Sequence, residues 1–210
     1  MRQIRLATPA DAAACLAVYQ PYLATPITFE EALPSAAAFA GRIGQTLQTY
    51  PYLVLEAAGQ VAAYAYAGPL ASRAAYRWSA ELSVYVAAVW QKQGFGKALY
   101  GALLPLLRQQ GVQEVFACIT LPNPASLRLH QFWGFTEAGL FRQAGYKCGR
   151  WHDVAWLQKS LAEPATPPPE LTPITAIPAA QQQQIFARAL QYAAKPAHQQ
   201  PFTHKSAGDG

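Results

Sequence analysis

The residues with the most to say about chemistry lie between positions 81 and 97. A strand-like run, Glu81–Val86, is followed by Gln91-Lys92-Gln93-Gly94-Phe95-Gly96-Lys97 and then by a strongly periodic apolar stretch. Gly94 and Gly96 permit a tight turn and a close backbone approach to a ligand. A helix starting there adds unpaired N–H donors and a partial positive charge. Lys92 and Lys97 bracket the loop with cations. Together these features suit a pyrophosphate. Taken alone the signal is weak, because glycine turns before helices are usually only turns. The run also lacks the further glycine of a dinucleotide fingerprint and the Gly-Lys-Ser/Thr ending of a nucleotide loop.

The elements that must position this loop alternate between strand and helix. Ile4-Arg5-Leu6 reads as a strand, and Thr8 caps a helix with Pro9 at its first position. Ser35 to Leu47 is helical, and Tyr52–Ala57 with Gln60–Ala67 forms a hairpin turning at Ala58-Gly59. In the strand Glu81–Val86, Glu81, Ser83 and Tyr85 share one face, with Leu82, Val84 and Val86 on the other. Phe95, Ala98, Leu99, Ala102, Leu103, Leu106 and Leu107 follow a helical period ended by Gly111, with Pro105 expected to kink it. Glu114–Thr120 is a strand, Ala125–Trp133 a short helix and Asp153–Lys159 a closing strand. The order predicts an α/β or α+β fold with a mixed sheet.

Composition narrows the function classes. The chain has no run of about eighteen consecutive apolar residues, so no membrane helix is expected. Its N-terminus enters strand-like alternation at once, without a signal core. Cys15, Cys118 and Cys148 are widely spaced and read as neither a disulfide framework nor a metal knuckle. A cytoplasmic location without a bound metal is the expectation. The net charge of +5 falls entirely before Glu163, since Arg188, Lys195 and Lys205 cancel Glu163, Glu170 and Asp209. A solvated basic surface explains that excess, as does a site for a polyanionic small ligand. Nucleic acid is not expected, because no Lys/Arg run is interleaved with aromatics.

After Leu161 the composition changes. Positions 163–210 contain 8 of the 17 prolines, a Pro167-Pro168-Pro169 run and a Gln181–Gln184 tract. The reading is a domain over 1–162 and a largely disordered linker and tail over 163–210 without a core. Within the tail a short helix near 181–194 would need a surface to lie on.

Set together, these motifs resemble the GCN-five-related N-acetyltransferases. Gln91-Lys92-Gln93-Gly94-Phe95-Gly96 is similar to their Gln/Arg-x-x-Gly-x-Gly/Ala motif, which likewise follows a strand and opens a helix. Asn123-Pro124-Ala125-Ser126 resembles their Asn-x-x-(Ala/Ser) helix start, and Gly134-Phe135 the Gly-Phe that ends that helix. Glu81–Val86 and the run Gly145–Asp153 resemble the phosphinothricin acetyltransferase group within that superfamily. The likeness covers about residues 2–161; the tail has no counterpart in it. Two positions depart from the pattern: relatives often have glycine where this chain has Lys92 and arginine where it has Gln91.

The resemblance implies a centrally splayed mixed sheet flanked by helices, with acetyl-coenzyme A as cosubstrate. It implies that Val84, Tyr85 and Val86 bind the pantetheine arm through their backbone. Lys92, Gln93, Gly94, Phe95, Gly96 and Lys97 would hold the pyrophosphate, and Asn123 would lie near the thioester. Glu81 would relay a proton from the attacking ammonium. His130, where many relatives have tyrosine, would protonate the departing thiolate, with Tyr85 as the alternative. As a plain sequence feature, Glu81 is a strand-end carboxylate and His130 a partly buried helix histidine. Phe29, Arg73, Tyr76 and Arg77 are expected to meet a small amino-acid-like amine, and Arg suits its anionic group by its forked donors. A solvated surface explains those four residues equally well. The cluster Tyr146, Lys147, Arg150, Trp151 and Asp153 belongs either to the site or to a homodimer interface. The alternatives are a protein N-terminal or lysine acetyltransferase, or a non-catalytic coenzyme A-binding module.

Overall fold

Seven strands form one sheet in the order β1-β2-β3-β4-β5-β7-β6. A computed structural model describes residues 1–163 and 165–193. The strands are β1 (Arg2–Leu6), β2 (Tyr52–Ala57), β3 (Gln60–Pro69), β4 (Ser79–Val86), β5 (Glu114–Thr120), β6 (Thr136–Lys147) and β7 (Arg150–Ser160). The helices are α1 (Ala12–Tyr19), α2 (Ala36–Thr46), α3 (Phe95–Gln109), α4 (Pro124–Phe132) and α5 (Ala179–Ala189). All neighbouring strands are antiparallel except β4 and β5. This is a mixed sheet flanked by helices, as the alternation of elements predicts. The β6–β7 hairpin is new: the sequence suggested only a closing strand at Asp153–Lys159, because β6 is mostly exposed and shows little apolar alternation.

Local chemistry explains the joints. Ala58 and Gly59 both take positive φ, +50° and +79°, the pair of values a tight two-residue hairpin needs. Ahead of α1, the Asp11 carboxylate accepts from the Thr8 N–H at 2.7 Å, while Arg5 grips both Asp11 and Glu56. Ser35 caps α2 by accepting from the Ala38 N–H at 3.1 Å. Helix α3 continues through Pro105, whose position on the exposed face keeps its ring out of the core.

Each face of the sheet carries its own core. On one, α3 buries Phe95, Leu99, Leu103, Leu106 and Leu107 against Leu53, Leu55, Val115 and Ile119. On the other, α1 and α2 pack Leu16, Tyr19, Phe39 and Ile43 on Tyr52, Val54 and Tyr64.

The chain after Leu161 corrects the expectation of a tail without a core. Ile174, Ile177, Phe186 and Ala189 are buried and belong to the α3 core. The connection is hydrogen-bonded as well as packed: the Gln110 side chain, 2% exposed, donates to the carbonyls of Thr49 and Thr172 at 2.6 and 2.9 Å. Trp78 Nε1 donates to the Pro169 carbonyl at 2.8 Å, and the Ile174 N–H to Thr49 at 3.0 Å. The prolines set an extended path to α5, and α5 finds in α3 the surface that an isolated helix lacks. Residues 194–210, including the last position of the expected helix, lie outside the described residues.

Candidate functional site

Among the described residues the one parallel pairing of the sheet is also its shortest. Strands β4 and β5 pair only at Ser79–Glu81 with Glu114–Phe116 and separate beyond that point. Past the fork, Leu82–Val86 and Ala117–Thr120 face each other across a cavity of about 690 Å³. On its other side β4 stays fully paired with β3 as far as Val86. The Ala87 N–H bonds Ala62 of β3, whereas the Val86 N–H turns the opposite way, to the Tyr22 hydroxyl. Strand alternation therefore turns the backbone groups of Val84 and Val86 toward the fork and those of Tyr85 toward β3. Of the three expected backbone contacts, two face the cavity and one is used by the sheet.

The glycine loop closes the far side of the cavity. Gly94 caps α3 with φ +79°, and the first backbone bond of the helix is from Ala98 N–H to the Gly94 carbonyl at 2.8 Å. The N–H groups of Phe95, Gly96 and Lys97 precede that ladder and are the donors a helix start offers to an anion. Lys92 takes φ +60°, a conformation that favours glycine. A cation thus stands at a position whose backbone would suit glycine. Gln93 lies behind the loop, accepting from Arg2 at 3.2 Å and donating to the Val89 carbonyl at 3.1 Å.

Lys92, Gln93, Gly94, Phe95, Gly96, Lys97, Asn123 and His130 all border this one cavity. Asn123 uses its side-chain oxygen to cap α4, accepting from the Ser126 N–H at 3.1 Å, which leaves its amide nitrogen for a ligand. His130 is 2% exposed. Its Nδ1 lies 2.8 Å from the Ser126 carbonyl, which only a protonated nitrogen can satisfy. Nε2 is then the acceptor for the Tyr100 hydroxyl at 3.0 Å. Burial pulls the His130 pKa down, partly opposed by the Ser126 bond, and burial pushes the Tyr100 hydroxyl up. The pair is neutral, with both ring nitrogens engaged inside the protein.

Glu81 stands at the base of the fork, beside Gly68 of β3 and Phe116 of β5. Its carboxylate is half-buried and makes no hydrogen bond among the described residues; desolvation raises its pKa above the usual glutamate range. The same face of β4 carries Ser83 and Tyr85. There a second cavity of about 760 Å³ is lined by Tyr19, Glu30, Arg42, Tyr66 and Tyr85 among others. Tyr85 borders both cavities, with its hydroxyl pKa pushed well up by burial.

Glu81 itself, at the base of the fork, does not border either cavity, and neither do Phe29, Arg73, Tyr76 and Arg77. Arg73, Tyr76 and Arg77 are exposed on the turn that leads into β4, and the Arg77 guanidinium lies 4.6 Å from the Trp78 ring centroid. Phe29 covers Gly145 so closely that a side chain on that glycine would overlap its ring. The loop that carries Phe29 is fastened by Lys147, whose ammonium donates to the Thr28 and Glu30 carbonyls at 2.6 Å each. In the same hairpin, Tyr146 and Trp151 form an exposed edge-to-face pair at 5.4 Å, and Asp153 accepts from the Gln143 N–H. Two residues at the site had no motif to announce them. Tyr22 donates its hydroxyl to the Val86 carbonyl at 2.6 Å, and Tyr192 joins the cavity wall from beyond α5. Among the described residues no cluster of His, Cys, Asp and Glu could hold a metal, and no helix is long and apolar enough to cross a membrane.

The comparisons with known proteins agree with this geometry. The sequence pattern described as an acetyltransferase (GNAT) domain matches residues 4–156. A phosphinothricin N-acetyltransferase of Streptomyces viridochromogenes is 41% identical over 176 residues, covering 83% of this chain and 96% of the relative. An L-methionine sulfoximine/L-methionine sulfone acetyltransferase of Salmonella typhimurium is 35% identical, covering 78% and 97%. The crystal structure of a phosphinothricin acetyltransferase from Sinorhizobium meliloti in complex with AcCoA superposes with a TM-score of 0.76 at 33% identity, covering 81% of this chain and 93% of that one.

Proposed function

Since the chain belongs to the GNAT acetyltransferase family, we propose that it moves an acetyl group from acetyl-coenzyme A to the primary amine of a small amino-acid-like substrate, of the phosphinothricin or methionine sulfoximine/sulfone type. The observation that carries this reading is the β4–β5 fork opening onto the unpaired N–H groups of α3. The cosubstrate supplies an activated thioester. Val84 and Val86 offer it a strand edge, with the Tyr22 hydroxyl yielding its place on Val86. The N-terminus of α3, with Lys92 and Lys97, offers charge and donors for its diphosphate.

Glu81 has the central chemical task. An aliphatic ammonium is mostly protonated at neutral pH, and only the neutral amine can form the new N–C bond. Glu81 takes up the proton, directly or through one water, as the C–S bond breaks and the thiolate leaves. Its half-buried site holds its basicity above that of a solvated carboxylate. The thiolate takes its proton from solvent, because the neutral Tyr100–His130 pair beside the cavity has both ring nitrogens engaged and a hydroxyl that burial makes a weaker acid than the thiol. The acceptor approaches through the tyrosine-lined cavity beside Tyr85, which shares a face of β4 with Glu81 although Glu81 does not line that cavity. Arg73 and Arg77, exposed at the Glu81 end of β4, and the exposed Phe29 and Tyr76 lie outside both cavities, so they meet the acceptor only at the surface, before it enters. The free cysteines suit a cytoplasmic enzyme. The exposed Tyr146–Trp151 pair suits a homodimer contact.

Thiol release from acetyl-coenzyme A, followed with methionine sulfone, phosphinothricin and a peptide with a free N-terminus, tests the reading. Turnover with the amino-acid analogues and not the peptide is the expected result. Turnover with the peptide alone makes the chain a protein acetyltransferase, and binding without turnover makes it a non-catalytic module.

A further inference from the structure

The cavity at the fork has one wall that lies outside the family-matched residues 4–156. Helix α5 runs along α3, and the turn Leu190–Tyr192 then carries the chain to the start of α3. Contact there is close. A Cβ on Gly94 would overlap the Tyr192 carbonyl oxygen, and a Cβ on Gly101 would lie 2.9 Å from the Tyr192 ring. That ring meets Trp133 edge-on at 5.0 Å and Phe132 at 6.0 Å. Phe132 is 49% exposed, with the Lys97 ammonium 3.8 Å from its ring centroid. Aromatic rings and a cation thus collect where the start of α3 meets the last turn of α4.

If the fork binds acetyl-coenzyme A, as proposed above, this cluster has a definite place along it. The pantetheine arm runs along β4 toward Glu81, and the diphosphate sits at the N-terminus of α3. What remains beyond the diphosphate is the nucleoside, a flat π-system with a further phosphate. We infer that Tyr192 is a coenzyme-binding residue, and that the docked segment 179–193 forms the outer wall of the nucleotide subsite. The adenine stacks on the Tyr192–Phe132 cluster, and Lys97 faces the nearby phosphates. The segment whose composition reads as a tail without a core is thereby part of the donor site.

Two donors separate this role from a structural one: acetyl-coenzyme A, and S-acetylpantetheine, which has the same thioester arm but no nucleotide. With the full chain, Tyr192→Ala should raise the KM for acetyl-coenzyme A relative to that for S-acetylpantetheine by roughly 5- to 150-fold, the range that base–aromatic stacking gives on alanine substitution. Tyr192→Phe should restore most of the preference, because the ring does the stacking. In the wild-type protein, hydrogen exchange of amides 179–193 should slow with saturating acetyl-coenzyme A and not with S-acetylpantetheine, a readout that stands even if Tyr192→Ala fails to fold. An equal rise of both KM values, or unchanged exchange in that segment, overturns the inference and leaves the acetyltransferase reading intact. Tighter acetyl-coenzyme A binding in Tyr192→Ala also overturns it, since the segment would then obstruct the site. A wild-type protein that takes neither donor removes the acetyltransferase reading, and this inference with it.

Discussion

Replacing Phe186 with alanine probes the docking of α5 on α3 most sharply. The ring is 3% exposed within the core that includes Ile174, Ile177 and the inner face of α3. Removing a buried phenylalanine side chain costs about 3–5 kcal/mol, from lost transfer free energy and the cavity left behind. In a chain of this size about 1 kcal/mol moves the melting temperature by roughly 2–4 °C, so Phe186→Ala should lower it by roughly 6–20 °C. That loss has a ceiling. Once it exceeds the free energy of docking, the segment detaches and the domain melts as a truncation after Leu161 does. Truncation in turn exposes the apolar face of α3, so it too must melt below the full chain. Thermal unfolding followed by circular dichroism on the full chain, Phe186→Ala and the truncation settles the order. Melting temperatures within about 2 °C of one another would refute the packing argument.

Three further outcomes follow from the site. Gly96→Val places a branched side chain where a Cβ already meets Leu129 Cδ2 at 3.3 Å and blocks the close approach at the helix start, so acetyl-coenzyme A affinity measured by calorimetry should fall by at least about tenfold in a protein that still folds. Lys147→Met removes two charge-assisted hydrogen bonds, one buried and one partly buried, worth about 1.5–3 kcal/mol each; hydrogen exchange across residues 25–31 should quicken and the KM for the amine rise. Glu81 has a raised pKa in the folded state, so its ionisation opposes folding as pH rises through that value. Glu81→Gln should accordingly be more stable than wild type at neutral pH, with the gain vanishing below the ordinary carboxylate range, as denaturant titrations at pH 7 and pH 3.5 would register.

The fork strand and the glycine loop were legible because their physics is local. A strand, a glycine turn and a helix start occupy consecutive residues, so Val84, Gly94 and Gly96 fall where the spacing puts them. The tyrosine-lined face was not, because it is assembled from distant segments. Nothing near Tyr22 announces a hydroxyl on the Val86 backbone, and nothing near Lys147 announces the carbonyls of Thr28 and Glu30. His130 was found by position, yet its hydrogen bonds to Tyr100 and Ser126 depend on how α3 and α4 pack. The C-terminal segment misled for a different reason. Its prolines and glutamines dominate the composition, while Phe186, Ala189, Leu190 and Ala193 follow the helical period and all pack on the core. A few well-spaced apolar residues were enough, given a helix to receive them.

The central claim is that Glu81 at the base of the β4–β5 fork accepts the proton of the attacking amine. A pH–rate profile of wild type and Glu81→Gln with one amine acceptor at saturating acetyl-coenzyme A tests it directly. General-base contributions are on the order of 10²–10⁴-fold, so the mutant should lose about that factor near neutral pH. It should also lack the acid limb that marks Glu81 in the wild type, and the gap should narrow as pH approaches the pKa of the amine itself, near 9–10.5. A loss that is uniform at every pH would assign Glu81 to positioning the substrate, and wild-type turnover in the mutant would contradict the account outright.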